Sequence, residues 1–162
     1  MQKIGNVIAS MIEYYSGDAR RIQHFLKVYG FAKAIGEQEG IEPELQELLE
    51  VASVVHDIGI KNSELKYNSS AGSYQQIEGP PVARKLLSEL GYSAKLIDRV
   101  CYLIAHHHTY NNIDGTDYQI LVEADFLVNI SEDAMSAEAI ESIKEKIFKT
   151  KTGSTFLAEI YE

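Results

Sequence analysis

The chain is poor in cysteine. Cys101 is the only one in 162 residues, which excludes an internal disulfide and a zinc site built from several thiolates. Its place beside Val100 in an apolar stretch of helical spacing assigns it to the core. Basic residues are also scarce: 15 Lys+Arg stand against 24 Asp+Glu, a net charge of -9. General DNA or RNA binding, which needs a basic face, is therefore not expected. A small phosphorylated molecule is still compatible, because a local site can be positive on a negative protein. No run of about 18 apolar residues exists, so no membrane span is predicted. The opening MQKIGNVIASMIEYYSGDARR lacks the apolar stretch of a secretion signal, and the expected localisation is cytoplasmic. Only Pro43, Pro80 and Pro81 interrupt the chain, and β-branched alternation is rare.

What the sequence has instead is helical spacing. Ile4, Val7, Ile8, Met11, Ile12 and Tyr15 form one stripe over residues 2–15. Gly17-Asp18 breaks it, with Asp18 as N-cap of a helix over 19–39 that Gly40 ends. A third helix starts at Pro43 and runs to about Gly59. The polar segment 60–74 is read as a loop. Helices follow over about 78–90, 94–108 and 116–131, and one or two more in the tail from Ser136. The six Glu between Glu37 and Glu50 are read as a solvated helix start, where carboxylates suit the positive end of the dipole. The expected architecture is all-α: one compact helical domain over 1–162 with six to eight helices. Its core covers about 18–131, flanked by an N-terminal helix and a C-terminal helical tail.

Five histidines carry the chemistry: His24, His56, His106, His107 and His108. His24 continues the apolar face of Val28, Phe31 and Ile35. His56 ends an apolar helix and is followed at once by Asp57. His107 lies three after Ile104, and Asp125 lies four after Leu121 and three before Val128, so both face inward. Any one of these alone reads as a hydrogen-bonded core residue. Together, three helices offering imidazole and two inward carboxylates make the ligand set of a divalent cation with open positions. Successive helix residues point about 100° apart, so the three consecutive histidines diverge. His107 is expected to face the site, His108 next, and His106 the outside.

The string VASVVHDIGIKN, with His24 upstream and Asp125 downstream, resembles the HD-domain metal-dependent phosphohydrolase superfamily. ARRIQHFLKVYGFAKAIG, IEGPPVARKLLSELGY and LVEADFLVNI resemble that family's successive helices. The resemblance covers about residues 18–131. It implies an HD-type helical bundle and a divalent metal ion (Mn, Fe, Co, Ni, Zn or Mg) on His24, His56, Asp57 and Asp125. The implied reaction is hydrolysis of a phosphomonoester or nucleotide, with a metal-activated water attacking phosphorus. Relatives with two metals carry a further His where this chain has Gln75, and a His pair matched here by His107 and His108. One metal is therefore expected, with His107 and His108 left for a second metal or for substrate. Nucleotidase-like relatives have an acid where Ile60 stands.

Asp57 is read as both a ligand and the group orienting the water. Lys61, four after Asp57, is read as a catalytic phosphate-binding cation, and Arg20 as a second phosphate contact; Arg21 is assigned to the surface. Tyr74, Tyr110 and Asn111 are placed at the mouth, where such groups read a base or sugar. A homodimer is left open. The alternative is a non-catalytic metal-binding signalling or interaction module on the same fold, to which Gln75 and Ile60 lend some weight. A third reading, a metal oxygenase, is disfavoured by the missing fourth histidine.

Overall fold

The computed structural model describes residues 2–162, and these contain nine helices and no strand. Ile4–Tyr14 (α1) buries Val7 and Met11. Ala19–Glu39 (α2) begins under Asp18, whose carboxylate accepts from the Arg21 amide at 3.3 Å, and ends at Gly40 in the left-handed region (φ 69°). Pro43–Val55 (α3) opens with proline in its first turn, and Val51 to Val55 are all buried. A helix buried all round has neighbours on every side, and α3 packs against α1, α2, α6 and α7. Ile60–Tyr67 (α4) and Gly72–Glu89 (α5) follow, and α5 pairs with Ala94–His106 (α6). Thr116–Glu132 (α7) lies against α2 and α3. Ala137–Lys146 (α8) and Lys151–Tyr161 (α9) complete the chain, α9 resting on α2 and α7.

The all-α reading holds, with one helix more than the upper expectation. The extra helix is α4, inside the segment read as a loop. It buries only Ile60 and Ser63, one of them polar, so it leaves no apolar stripe to read. The same segment also holds the first turn of α5, which begins six residues earlier than expected. Its first two turns bury Gln75, Glu78 and Gly79 rather than aliphatic side chains. Pro80 and Pro81 sit inside the helix, although proline normally marks a helix start.

Two contacts shape the turn between α3 and α4. The Tyr15 hydroxyl donates toward the carbonyls of Asp57 (3.1 Å) and Ile58 (3.2 Å) and accepts from the Lys61 amide (3.1 Å). Gly59 lies against α5: a Cβ there would stand 2.6 Å from the Gly79 nitrogen and 2.7 Å from the Gln75 carbonyl oxygen. Both are backbone atoms of a helix and cannot swing aside. At the other end, Glu123 of α7 is fully buried and accepts from the amides of Lys149 (2.9 Å) and Thr150 (3.0 Å) and from the Thr150 hydroxyl (2.6 Å). That carboxylate fastens the start of α9 to the body of the protein.

Gly59→Ala is expected to destabilise the fold by about 1–3 kcal/mol, the usual cost of overpacking. Gly30, exposed in α2 with open space around it, is the control: Gly30→Ala should stabilise by about 0.5–1 kcal/mol through helix propensity alone. Urea unfolding of both variants checks the two signs.

Candidate metal centre

Four helices deliver the site. α2 contributes His24, the end of α3 contributes His56 and the adjoining turn Asp57, α7 contributes Asp125, and the residue after α6 is His107. The apolar faces that seat these helices on one another carry the polar groups inward with them. His56 is fully buried, and His24, Asp57, Asp125 and His107 are each at most 9% exposed.

The inward atoms lie close together. His24 Nε2 is 3.3 Å from Asp57 Oδ2 and 3.3 Å from Asp125 Oδ1. His56 Nε2 is 3.3 Å from Asp57 Oδ2 and 3.2 Å from Asp125 Oδ1. One ligand atom from each of His24, His56, Asp57 and Asp125 fits within a span of 4.8 Å. Around a cation with bonds of about 2.1 Å, neighbouring ligand atoms stand roughly 3.0–3.4 Å apart for angles between octahedral and tetrahedral. The observed spacings fall in that interval.

The outer ring nitrogens explain the orientation. His24 Nδ1 lies 2.7 Å from Glu132 Oε1, His56 Nδ1 lies 2.7 Å from the Ser53 carbonyl, and His107 Nδ1 lies 2.9 Å from the Ile104 carbonyl. Each of these partners is an acceptor, so each Nδ1 holds the proton and donates outward. Neutral imidazoles in that tautomer present bare Nε2 lone pairs to the carboxylates. His24 Nε2 is buried with no hydrogen-bond partner among the described residues, although two carboxylate oxygens lie 3.3 Å from it. A buried polar atom left in this way costs free energy, and a cation between these groups would satisfy it. The residues present therefore fit a divalent metal ion.

Without a cation the cluster gathers protons instead. Burial pushes the His24 pKa down, but the carboxylates of Asp125 and Asp57 outweigh it and hold the pKa at about 9. His56 is raised in the same way, against full burial, chiefly by Asp57. Burial acts against ionisation of Asp57 and Asp125 too, yet the imidazoles hold both carboxyls well below the usual range.

Asp57 also faces a second group. Its Oδ1 is 3.0 Å from His107 Nε2 and 3.8 Å from His108 Nε2, and these three residues form a further set able to hold a cation. His108 Nε2 is 3.4 Å from Gln75 Oε1, while the Gln75 amide donates to the Ser70 carbonyl at 2.6 Å. Burial, followed by the neighbouring His107, lowers the His108 pKa to about 4. His106 is directed elsewhere: its Nδ1 bonds the Tyr102 carbonyl at 2.8 Å and its ring stacks on Tyr102.

A cavity of about 360 Å³ opens over the cluster, with Arg20, His24, Asp57, His108 and Asp125 on its wall. Arg21 also reaches it but pairs with Glu64 and Asp18. The reading of Lys61 as a phosphate-binding catalytic cation is corrected. Its ammonium donates to the Tyr14 carbonyl at 2.9 Å and lies over the Tyr14 ring, away from the cavity. Lys61 sits in the first turn of α4, which replaces the expected loop, and the direction of that helix turns the side chain toward α1. Tyr74 stacks on Tyr67, Tyr110 packs on Phe126 and Asn111 is exposed; none of the three lines the cavity. Two supporting residues were not singled out in the sequence. Glu132 follows Asp125 by two helical turns on one face, a spacing that could have been noticed. Tyr15 looked like one more member of an apolar stripe.

The sequence model of the HD domain matches residues 21–149. Among solved structures, a predicted HD superfamily hydrolase from an uncultured Thermotogales bacterium is similar: it is 25% identical, the match covers 98% of this chain and 83% of that one, and the TM-score is 0.66. No curated protein matches the chain.

Asp57→Ala is expected to abolish metal retention while the far-ultraviolet circular dichroism is unchanged, because the helix faces remain apolar. Glu132→Gln should weaken metal affinity by about 10–100-fold, as is usual for a lost partner of a ligating histidine; elemental analysis after dialysis reads both. The raised His24 pKa also fixes a sign. Its contribution to the metal-free fold is fully present below the ordinary histidine value of 6.5 and is lost as pH rises through about 9. Metal-free protein should therefore melt at lower temperature as pH rises from 6.5 to 9, and saturating manganese should remove that decline.

Proposed function

The chain belongs to the HD-domain family, a family of metal-dependent hydrolases, and on that footing we propose that it hydrolyses a phosphomonoester or a nucleotide. The observation that carries the reading is the set of outward-pinned imidazoles facing two carboxylates, with His24 Nε2 unpartnered. In this proposal His24, His56, Asp57 and Asp125 hold the cation. The cation supplies a Lewis acid for a phosphoryl oxygen and lowers the pKa of an attacking water.

The side chains account for the rest. Asp57 is the one carboxylate shared by His24, His56 and His107, so it is fixed from three sides and orients the water. Arg20, on the cavity wall, meets the phosphate as a planar cation. His107 keeps Asp57 in place, and His108 reaches the wall where substrate enters. The water oxygen bonds to phosphorus, the P–O ester bond breaks, and the departing alkoxide takes up a proton to leave as the alcohol. The protein acts on a freely diffusing small molecule, without a nucleic-acid or membrane partner.

Manganese-loaded protein should release phosphate from a chromogenic phosphomonoester, and chelation should abolish this. Arg20→Ala should raise KM by roughly ten-fold, the loss of one charge-assisted contact. His24→Ala should lose both metal and turnover, whereas Lys61→Ala should keep both. Full metal content without turnover on any phosphate ester would favour the non-catalytic binding module instead.

A further inference from the structure

The wall of the cavity beyond the metal cluster is mostly polar and carries little exposed aromatic surface. Phe25 is the one aromatic carbocycle on it among the described residues, and its faces and edges are already taken by Tyr15, His24 and His56, at centroid distances of 5.1, 5.9 and 5.7 Å. The other ring on the wall beyond the metal cluster is His108, which is 28% exposed, lies 3.9 Å from the His107 ring between centroids and is approached closely by Gly72. Stacking of one base on an open aromatic face contributes about 1–3 kcal/mol where it is used, and this wall offers little such area.

What the wall offers instead is hydrogen bonding to hydroxyl groups. The side chains of Ser70, Asn129 and Asp133 line it, and none makes a side-chain hydrogen bond or ion pair among the described residues. Asn129 and Asp133 stand one turn apart on the end of α7, four and eight residues beyond Asp125. They continue the helix face that carries the candidate metal ligand. Ser70 approaches from the connection between α4 and α5. Arg20 is on the same wall without an ion pair among the described residues, while Arg21 beside it is paired with Asp18 and Glu64, so one unpaired cation and three hydroxyl-binding groups border the space over the cluster. The volume, about 360 Å³, is at the low end of the range of about 300–1,000 Å³ for small-molecule sites.

Resting on the hydrolase reading above, we infer that the substrate is a compact polyhydroxylated phosphomonoester, a polyol or sugar phosphate, rather than a nucleotide. Arg20 takes the phosphoryl oxygens. Asp133 accepts from a substrate hydroxyl, Asn129 both donates and accepts, and Ser70 closes the third side. Water adds to phosphorus, the P–O bond to the sugar or polyol carbon's oxygen breaks, and that oxygen leaves protonated, giving the free polyol or sugar and inorganic phosphate.

The test is phosphate release by the manganese-loaded protein from glycerol 3-phosphate, ribose 5-phosphate and the four deoxynucleoside 5′-monophosphates. At least one of the first two is expected to show kcat/KM about ten-fold or more above every nucleotide. Asn129→Ala and Asp133→Ala should each raise its KM by about five- to ten-fold, with kcat changed far less. Metal content, read by elemental analysis, should equal that of the parent. Nucleotides turned over with the higher kcat/KM would overturn this inference and leave the hydrolase reading standing. An unchanged KM in both variants would overturn the assigned residues and the inference with them. Metal-loaded protein that releases phosphate from none of the esters would overturn the hydrolase reading itself.

Discussion

Everything at the centre of this protein depends on like-natured groups being forced to face one another. Imidazole lone pairs and carboxylate oxygens are all electron-rich, and they can face one another only with a proton or a cation between them. Their outer nitrogens are tied to Glu132, Ser53 and Ile104, so the rings cannot turn to relieve the conflict. Packing of α2, α3, α6 and α7 keeps the four walls closed. The repulsion is thus held in place by the hydrophobic core, and positive charge in the middle converts it to attraction.

The consequence for the rest of the chain is a division between a rigid floor and an adaptable rim. The floor is the turn from His56 to Gly59, braced by the Tyr15 hydroxyl on one side and by the close backbone approach of α5 on the other. The rim is made of side chains from helix ends: Arg20 at the start of α2, Asn129 and Asp133 at the end of α7, and Ser70 between two short elements. Such positions accept substitution without disturbing the core, so under the proposed reaction the alcohol portion of a substrate would be read where the fold is most tolerant.

The sequence made the helices legible wherever their inward face was apolar. The bounds of α2, α6 and α7 follow to within two residues from their stripes and end signals, whereas α3, expected to run to about Gly59, ends at Val55 and leaves a turn over 56–59; the inward phase of His24, His107 and Asp125 could be read from the same stripes. The first turns of α4 and α5 were not legible, because their inward positions are Ser63, Gln75, Glu78 and Gly79. Lys61 was misread for a related reason: distance from Asp57 along the chain says nothing of direction once a helix starts between them. Glu132 and Tyr15 act through partners 108 and 42 residues away; the spacing of Glu132 from Asp125 marks its face, but a single sequence does not say which distant residue either one meets.

The separation of these partners in the chain also sets an order of events. Asp125 meets His56 across 69 residues, and Glu132 meets His24 across 108, whereas the floor is closed by contacts of much shorter span, Tyr15 with Lys61 and Gly59 with Gly79. Contacts so far apart in sequence form late, since the entropy of closing the intervening chain must be overcome first. A growing or refolding chain therefore completes its floor while the fourth wall is still absent. A site completed only when α7 docks would make metal loading a reporter of a late stage of folding rather than its trigger.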